Sequence, residues 1–352
     1  MRVILLEKEG SDMITFRNDY AQVAAPEILN RLAEIQNDSF IGYGLDKICE
    51  TAADKIKKQL GRDDVDVHFL VGGTQANLTM IDQMLKPWQA VVAVDSGHIN
   101  VHESASVEAT GHKVEVLPPH EGKMSAADLE KLAASRTDEH MIRVGAVDIS
   151  NSTEIGTIYS KAELLALRKV CDKYGLYLYV DGARMGAALT SRQNDLTLKD
   201  FAEICDCFYI GATKNGGMIG EAVVIINDDL KPGFRNMMKQ KGALMAKGFI
   251  LGVQYDCLFT DDLFFRLAKH ENEVAEYLVQ ELKKLNIRFF MDSPTNQQFI
   301  YLKNEVIEQL KKKYEFEMWE IGEEESVIRL VTSFMNKTSD VDSLVSDLKE
   351  LL

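Results

Sequence analysis

The sequence predicts an α/β fold, a mostly parallel central sheet covered by helices, followed by a smaller α+β body. Three observations predict it. Between about residues 60 and 227, short apolar runs alternate with amphipathic segments. Each run is rich in Val, Ile or aromatic residues and is followed by Gly, Asp, Ser or Asn. The amphipathic segments carry legible helix starts and stops.

The strands read, in order, as Val67–Val71, Ala90–Val94, Val114–Leu117, Val144–Ile149, Leu176–Val180, Cys207–Ile210 and Ala222–Ile226. Ser125 to Asp128 opens a helix over Leu129–Ala134. Ser160 and Glu163 form a capping box ahead of LLALRKVCDKY, and Gly175 ends that helix. Residues 254–285 read as long helices, with Tyr277, Leu278, Leu282 and Leu285 at helical spacing. The runs Arg288–Met291, Gln298–Leu302, Phe316–Glu320 and Val327–Thr332 follow, with a helix through Val306–Lys312 and a last one after Ser339. The expected division is a large domain over residues 1–250 and a small one over 251–352. No internal repeat is present.

Composition narrows the function. The chain has 352 residues, with 40 Lys+Arg against 55 Asp+Glu, a formal charge of -15. That surplus argues against nucleic acid and anionic membranes, both of which need clustered cations. No apolar run approaches the roughly 18–20 residues of a membrane span. MRVILLEKEGSDM is broken by Glu7, Lys8 and Glu9 and lacks the apolar core of an export signal. Five scattered cysteines then read as reduced thiols, and the expected compartment is the cytoplasm. Neither Cys205-Asp206-Cys207 nor His98-Ile-Asn-Val-His102 has the spacing or companions of a zinc site, so no metal is expected.

A parallel sheet places its ligands at the carboxyl ends of its strands. Val67–Val71 runs into Gly72-Gly73-Thr74-Gln75-Ala76-Asn77 and a helix, a turn that suits a phosphate. Ala90–Val94 leads to His98. Val144–Ile149 leads to Asn151. Leu176–Val180 leads to Asp181-Gly182-Ala183-Arg184, and Cys207–Ile210 to Thr213-Lys214-Asn215-Gly216-Gly217. Singly, each is an ordinary turn. Together they meet the needs of pyridoxal phosphate (PLP): a phosphate cradle, a lysine for its aldehyde, a carboxylate for its ring nitrogen and a flat partner for the ring.

GGTQAN, VDGAR and ATKNGG resemble the threonine aldolase and β-eliminating lyase group of fold-type-I PLP enzymes, from Phe16-Arg17-Asn18-Asp19 through Arg329-Leu330-Val331-Thr332. The resemblance implies a PLP-dependent transferase-like fold and a homodimer or homotetramer acting on a small amino acid. It implies Lys214 as the Schiff-base lysine, with Asp181 on the ring nitrogen. Gly72, Gly73 and Thr74 would lie at the phosphate, with Thr213 beside Lys214, and His98 on the ring face. Asn151 and Arg184 would lie near the ring oxygen or the substrate carboxylate, which Arg329 would clamp. His140, eleven residues before Asn151, matches a second family histidine. The group's usual serine near the start, which helps hold the substrate carboxylate, is Asn18 here, and the arginine that serves a neighbouring subunit's phosphate is replaced by Lys247. Tyr43 is a candidate to cross to a partner.

The implied reaction cleaves the Cα–Cβ bond of a β-hydroxy-α-amino acid of the threonine or allo-threonine type to glycine and an aldehyde. His98 and His140 are the candidate bases. The alternatives are β-elimination, racemisation or transamination on the same cofactor, and a non-catalytic protein that binds PLP or an amino acid. A nicotinamide dehydrogenase fails for lack of G-x-G-x-x-G.

Overall fold

The computed structural model describes residues 13–352. The stretch read for an export signal therefore lies, Met13 apart, outside the described residues. β1 (Ile14–Thr15) precedes α1 (Pro26–Glu34), whose first position is a proline that needs no N–H partner. α2 (Lys47–Leu60) is capped by Asp46, which accepts from the Cys49 N–H at 2.9 Å, and stops at left-handed Gly61. Strands and helices then alternate: β2 (Asp66–Leu70), α3 (Gly73–Met84), β3 (Gln89–Val94), α4 (His98–Val101), β4 (Lys113–Leu117), α5 (Ala126–Ser135), β5 (Arg143–Ser150), α6 (Lys161–Tyr174), β6 (Tyr177–Asp181), α7 (Met185–Thr190), α8 (Leu198–Ile204), β7 (Cys207–Gly211) and β8 (Glu221–Ile225). The capping box of α6 is present in both directions, with Ser160 and Glu163 exchanging backbone bonds at 2.8 and 3.3 Å.

Seven strands form one sheet in the order β2-β8-β7-β6-β5-β3-β4. Its neighbours are parallel except for the two pairs that β8 makes. Residues 212–220, which join β7 to β8, are too few for a parallel crossover, so the chain turns straight back. Alternation along β6 sends Leu178 and Val180 to one layer, with Leu164 and Leu167 of α6. Tyr179 goes to the other, with Met80 and Ile81 of α3. Each such side chain stabilises the fold by roughly 1.5–3 kcal/mol.

The remaining elements are α9 (Phe234–Gln240), α10 (Phe249–Leu258), α11 (Leu263–Lys284), β9 (Gln297–Lys303), α12 (Asn304–Leu310), β10 (Tyr314–Glu315), β11 (Glu317–Glu320), β12 (Glu325–Val331) and α13 (Thr338–Leu351). The helical stretch is interrupted at Asp261 and Asp262, both left-handed, so α10 and α11 are separate. Arg288–Met291 supplies one isolated bridge, Phe289 to Ile300, and not a strand. Three strands form an antiparallel sheet, β11-β12-β9, over a third apolar cluster that joins Val274, Leu278, Ile300, Ile328 and Leu344. Phe16 belongs to that cluster, and β1 pairs with β10, so the start of the described chain is built into the C-terminal body. Tyr255, Leu258 and Phe264 pack with the large sheet instead. No helix among the described residues is long and apolar enough to cross a membrane.

Candidate active site

The carboxyl ends of β2, β3, β5, β6 and β7 meet at one edge of the large sheet. α3 starts there with Gly72 before it, and among the described residues no side chain caps its first N–H groups. A Cβ on Gly73 would lie 2.9 Å from the Tyr209 hydroxyl, so glycine lets the helix start sit directly on that ring. Gly182 is required more strictly, since its Cβ would fall 1.8 Å from the Tyr209 carbonyl oxygen. Without it the ends of β6 and β7 could not converge.

Asp181 ends β6. Its carboxylate accepts from the Tyr209 hydroxyl (2.5 Å), the Ala183 N–H (2.9 Å) and the Asn77 amide (3.0 Å). The same amide donates to Glu103 (2.7 Å), which also bonds His98 Nδ1 (2.7 Å) and accepts from Ser106 (2.7 Å). One buried network therefore links the β6 carboxylate to the imidazole. Burial works against the charged form of His98, but the Glu103 bond and the charges of Asp181 and Glu103 outweigh it and raise its pKa. Glu154 accepts from the His98 N–H (3.1 Å) and the Ser150 hydroxyl (2.8 Å).

Lys214 follows β7, with its ammonium 5.8 Å from the Tyr20 ring centre. Burial, then the Arg184 charge, lowers its pKa, which favours the neutral amine. Arg184 is held in a fork by Asp19, at 2.7 and 3.1 Å, and Asn296 donates to the same carboxylate at 2.9 Å. Burial raises the pKa of Asp19, but Arg184 and Lys214 prevail and lower it. The stability that this pair contributes is present above the ordinary aspartate range and is lost as pH falls through the depressed value. Asp19→Ala leaves a buried guanidinium without its partner. A loss of about 3–5 kcal/mol in denaturant stability is expected, and an unchanged midpoint would contradict the geometry.

Two adjoining cavities meet at Lys214. The first, of about 320 Å³, is lined by Gly72, Gly73, Thr74, Asp181, Thr213 and Glu221 among others. The second, of about 360 Å³, is lined by His102, Glu317, Trp319 and Arg329. Tyr20, His98, Glu154, Arg184 and Lys214 line both. Arg329, on β12, donates to Glu317 and, at 3.3 Å, to Gln297, with its guanidinium carbon 5.6 Å from the Trp319 ring centre. Burial and the neighbouring Arg184 lower its pKa. Among the described residues, no group of three or more His, Cys, Asp or Glu is placed to hold a metal ion.

Several residues singled out in the sequence lie elsewhere. His140 is exposed just before β5, the strand whose other end carries Ser150, so it does not reach the cavities of its own chain. Sequence distance concealed that a whole strand separates it from the site. His102 stands there instead, one helical turn beyond His98, with ring centres 5.6 Å apart. Burial, then His98 and Arg329, lowers its pKa. The Asn151 side chain turns away and accepts from the Tyr159 N–H at 3.1 Å, while Ser150 and Ser152 line the cavity. Asn18 is buried and accepts from the Tyr20 N–H at 3.2 Å, which leaves Tyr20 at the cavity. Lys247 and Tyr43 are on a separate surface patch, where the Tyr43 N–H donates to the Ala246 carbonyl at 3.2 Å. Tyr20, Glu154 and Glu221 adjoin recognised motifs. Nothing local marks Glu317 or Trp319, which are carried in by pairing of β11 with β12.

The family described as beta-eliminating lyase matches residues 15–305. A low specificity L-threonine aldolase of Pseudomonas aeruginosa is 29% identical over 306 residues, covering 85% of this chain and 87% of the relative. A solved structure described as Leishmania major threonine aldolase is 44% identical, with a TM-score of 0.94, covering 96% of this chain and 99% of that one. Aspartate aminotransferase from Thermus thermophilus, 14% identical with a TM-score of 0.71 over 97% of this chain and 92% of that one, shares the fold alone. The sheet order, the Lys214–Asp181 edge and a match over most of the chain agree: this protein belongs to the β-eliminating lyase family, among its threonine aldolases.

Proposed function

We propose that the chain cleaves β-hydroxy-α-amino acids of the L-threonine type to glycine and an aldehyde, with PLP as cofactor. The observation that carries this reading is the position of Lys214 between a cavity that ends on a bare helix start and one that ends on Arg329. The first cavity fits PLP. The α3 start, with Gly72, Gly73 and Thr74, is open to a phosphate, and Asp181, fixed by three donors, lines the same cavity. The buried Ser152 hydroxyl and Glu221 Oε2 have no partner among the described residues.

When bound, PLP supplies an aldehyde for amines and a protonated ring that takes up the electron pair released as Cα–Cβ breaks. The protein supplies the rest. Lys214, disposed to lose its proton, presents a nucleophilic amine. His98 is oriented by Glu103 through Nδ1, leaving its face and Nε2 toward the cavities. Arg329 offers a bidentate fork to the α-carboxylate in place of its bond to Glu317. His102, favoured in its neutral form, takes the β-hydroxyl proton on a ring nitrogen.

Purified, PLP-loaded protein assayed with L-threonine, L-allo-threonine and their D-forms is expected to release acetaldehyde from an L-form. No aldehyde from any of the four would overturn the reading. Arg329→Ala should raise the Michaelis constant, lowering kcat/KM by about 2–5 kcal/mol. An unchanged constant would remove Arg329 from the site.

A further inference from the structure

Glu221 is a carboxyl group that this chemistry does not yet use. It opens β8, opposite Gly211 on β7 and Leu70 on β2. Strand alternation puts it on the same face as Val223 and Tyr209, the face covered by α3. It therefore lies beneath the bare start of α3, between the Gly72-Gly73-Thr74 turn and Lys214. It is only 3% exposed. The Thr213 hydroxyl, which accepts from the Gly220 N–H at 3.0 Å, is near enough to favour the carboxyl's ionised form. Among the described residues its Oε2 has no partner, and the residue lines the first cavity.

We propose that Glu221 serves the cofactor phosphate as a neutral carboxylic acid, donating its proton to a phosphate oxygen from below the α3 start. This rests on the functional reading above. An ionised Glu221 would set a like charge against the phosphate, whereas the acid completes the ring of donors begun by the helix N–H groups. Its surroundings favour the acid. Burial pushes its pKa up to about 8, against the opposing charge of Lys214, with that of Asp181 and against the Thr213 hydroxyl. The other titratable groups facing it are Tyr209 of β7 and Tyr255 of α10, both held neutral by burial, and the first two turns of α3 carry none. His68 lies two positions further along β2.

The test compares PLP with pyridoxal, which lacks the phosphate, on protein stripped of cofactor. Binding is followed by absorbance from pH 7 to 9. The ratio of the two affinities cancels the titration of Lys214 and of the ring. For wild type the ratio should fall about tenfold over this range, as a group near 8 loses its proton. Glu221→Gln, a neutral donor of the same shape, should keep the ratio within about threefold of the wild-type value at pH 7 and make it flat with pH. Glu221→Ala should lower it at pH 7 by about tenfold and also flatten it. A wild-type ratio constant with pH, or a Gln variant that keeps the slope, overturns the proposal and leaves the aldolase reading standing. Wild-type protein that takes up neither compound overturns both.

Discussion

Lys214→Ala is expected to reduce turnover by at least about a thousandfold, because it removes the group proposed to make the covalent bond and leaves no neighbour able to replace it. Among the described residues, no second lysine lines either cavity that meets there. Arg184 is forked to Asp19, and Arg329, whose guanidinium remains charged, cannot substitute for an amine. The wild-type protein should be yellow with PLP, and borohydride should fix the label on Lys214. The variant should bind cofactor without being labelled. The side chain faces a polar cavity, so the fold should tolerate its loss within about 1 kcal/mol, readable as a denaturant midpoint. Activity within tenfold of wild type would exclude the assigned role.

Asp181→Asn should lower kcat by about 10²–10³-fold, the size of effect seen when one preorganised electrostatic partner is removed. The change is nearly isosteric but alters charge and donor pattern together. The three groups around Asp181, namely the Tyr209 hydroxyl, the Ala183 N–H and the Asn77 amide, are all donors in the present arrangement. An asparagine there turns an NH₂ toward one of them. Asn77 cannot simply rotate, because its oxygen already accepts from the Tyr179 hydroxyl at 2.9 Å. A stability loss of about 1–3 kcal/mol should accompany the kinetic loss. Measuring both separates them, since a purely structural role would lower the midpoint and leave kcat of the folded, PLP-saturated enzyme intact.

Much of this site was legible in the linear chain because its parts are local. A run of β-branched residues, the Gly72-Gly73 turn and the capping box at Ser160 each act over a few residues. Their chemistry is set by neighbours in sequence. Once the alternation implied a parallel sheet, the rule that ligands bind at carboxyl ends brought Gly73, His98, Asp181 and Lys214 to one edge without further information. The same locality explains the failures. His140 and Asn151 differ by eleven positions, and an extended strand carries them to opposite ends of β5. Asn18 is recognisable in sequence, but whether it or Tyr20 meets the cavity depends on a turn of the backbone within a few residues.

The order of residue types along the chain was enough to specify the α/β class, the sheet edge that holds the candidate site, and the lysine, aspartate and histidine that the fold brings together there. Tertiary structure alone decided the rest. It reversed β8 and so brought Glu221 under the start of α3. It tied β1 to β10, and it carried Glu317, Trp319 and Arg329 to the second cavity. The physical reason is range: helix caps, turns and strand periodicity are settled within a few residues. Strand register and the meeting of two packed bodies depend on burying surfaces that lie hundreds of positions apart in the chain.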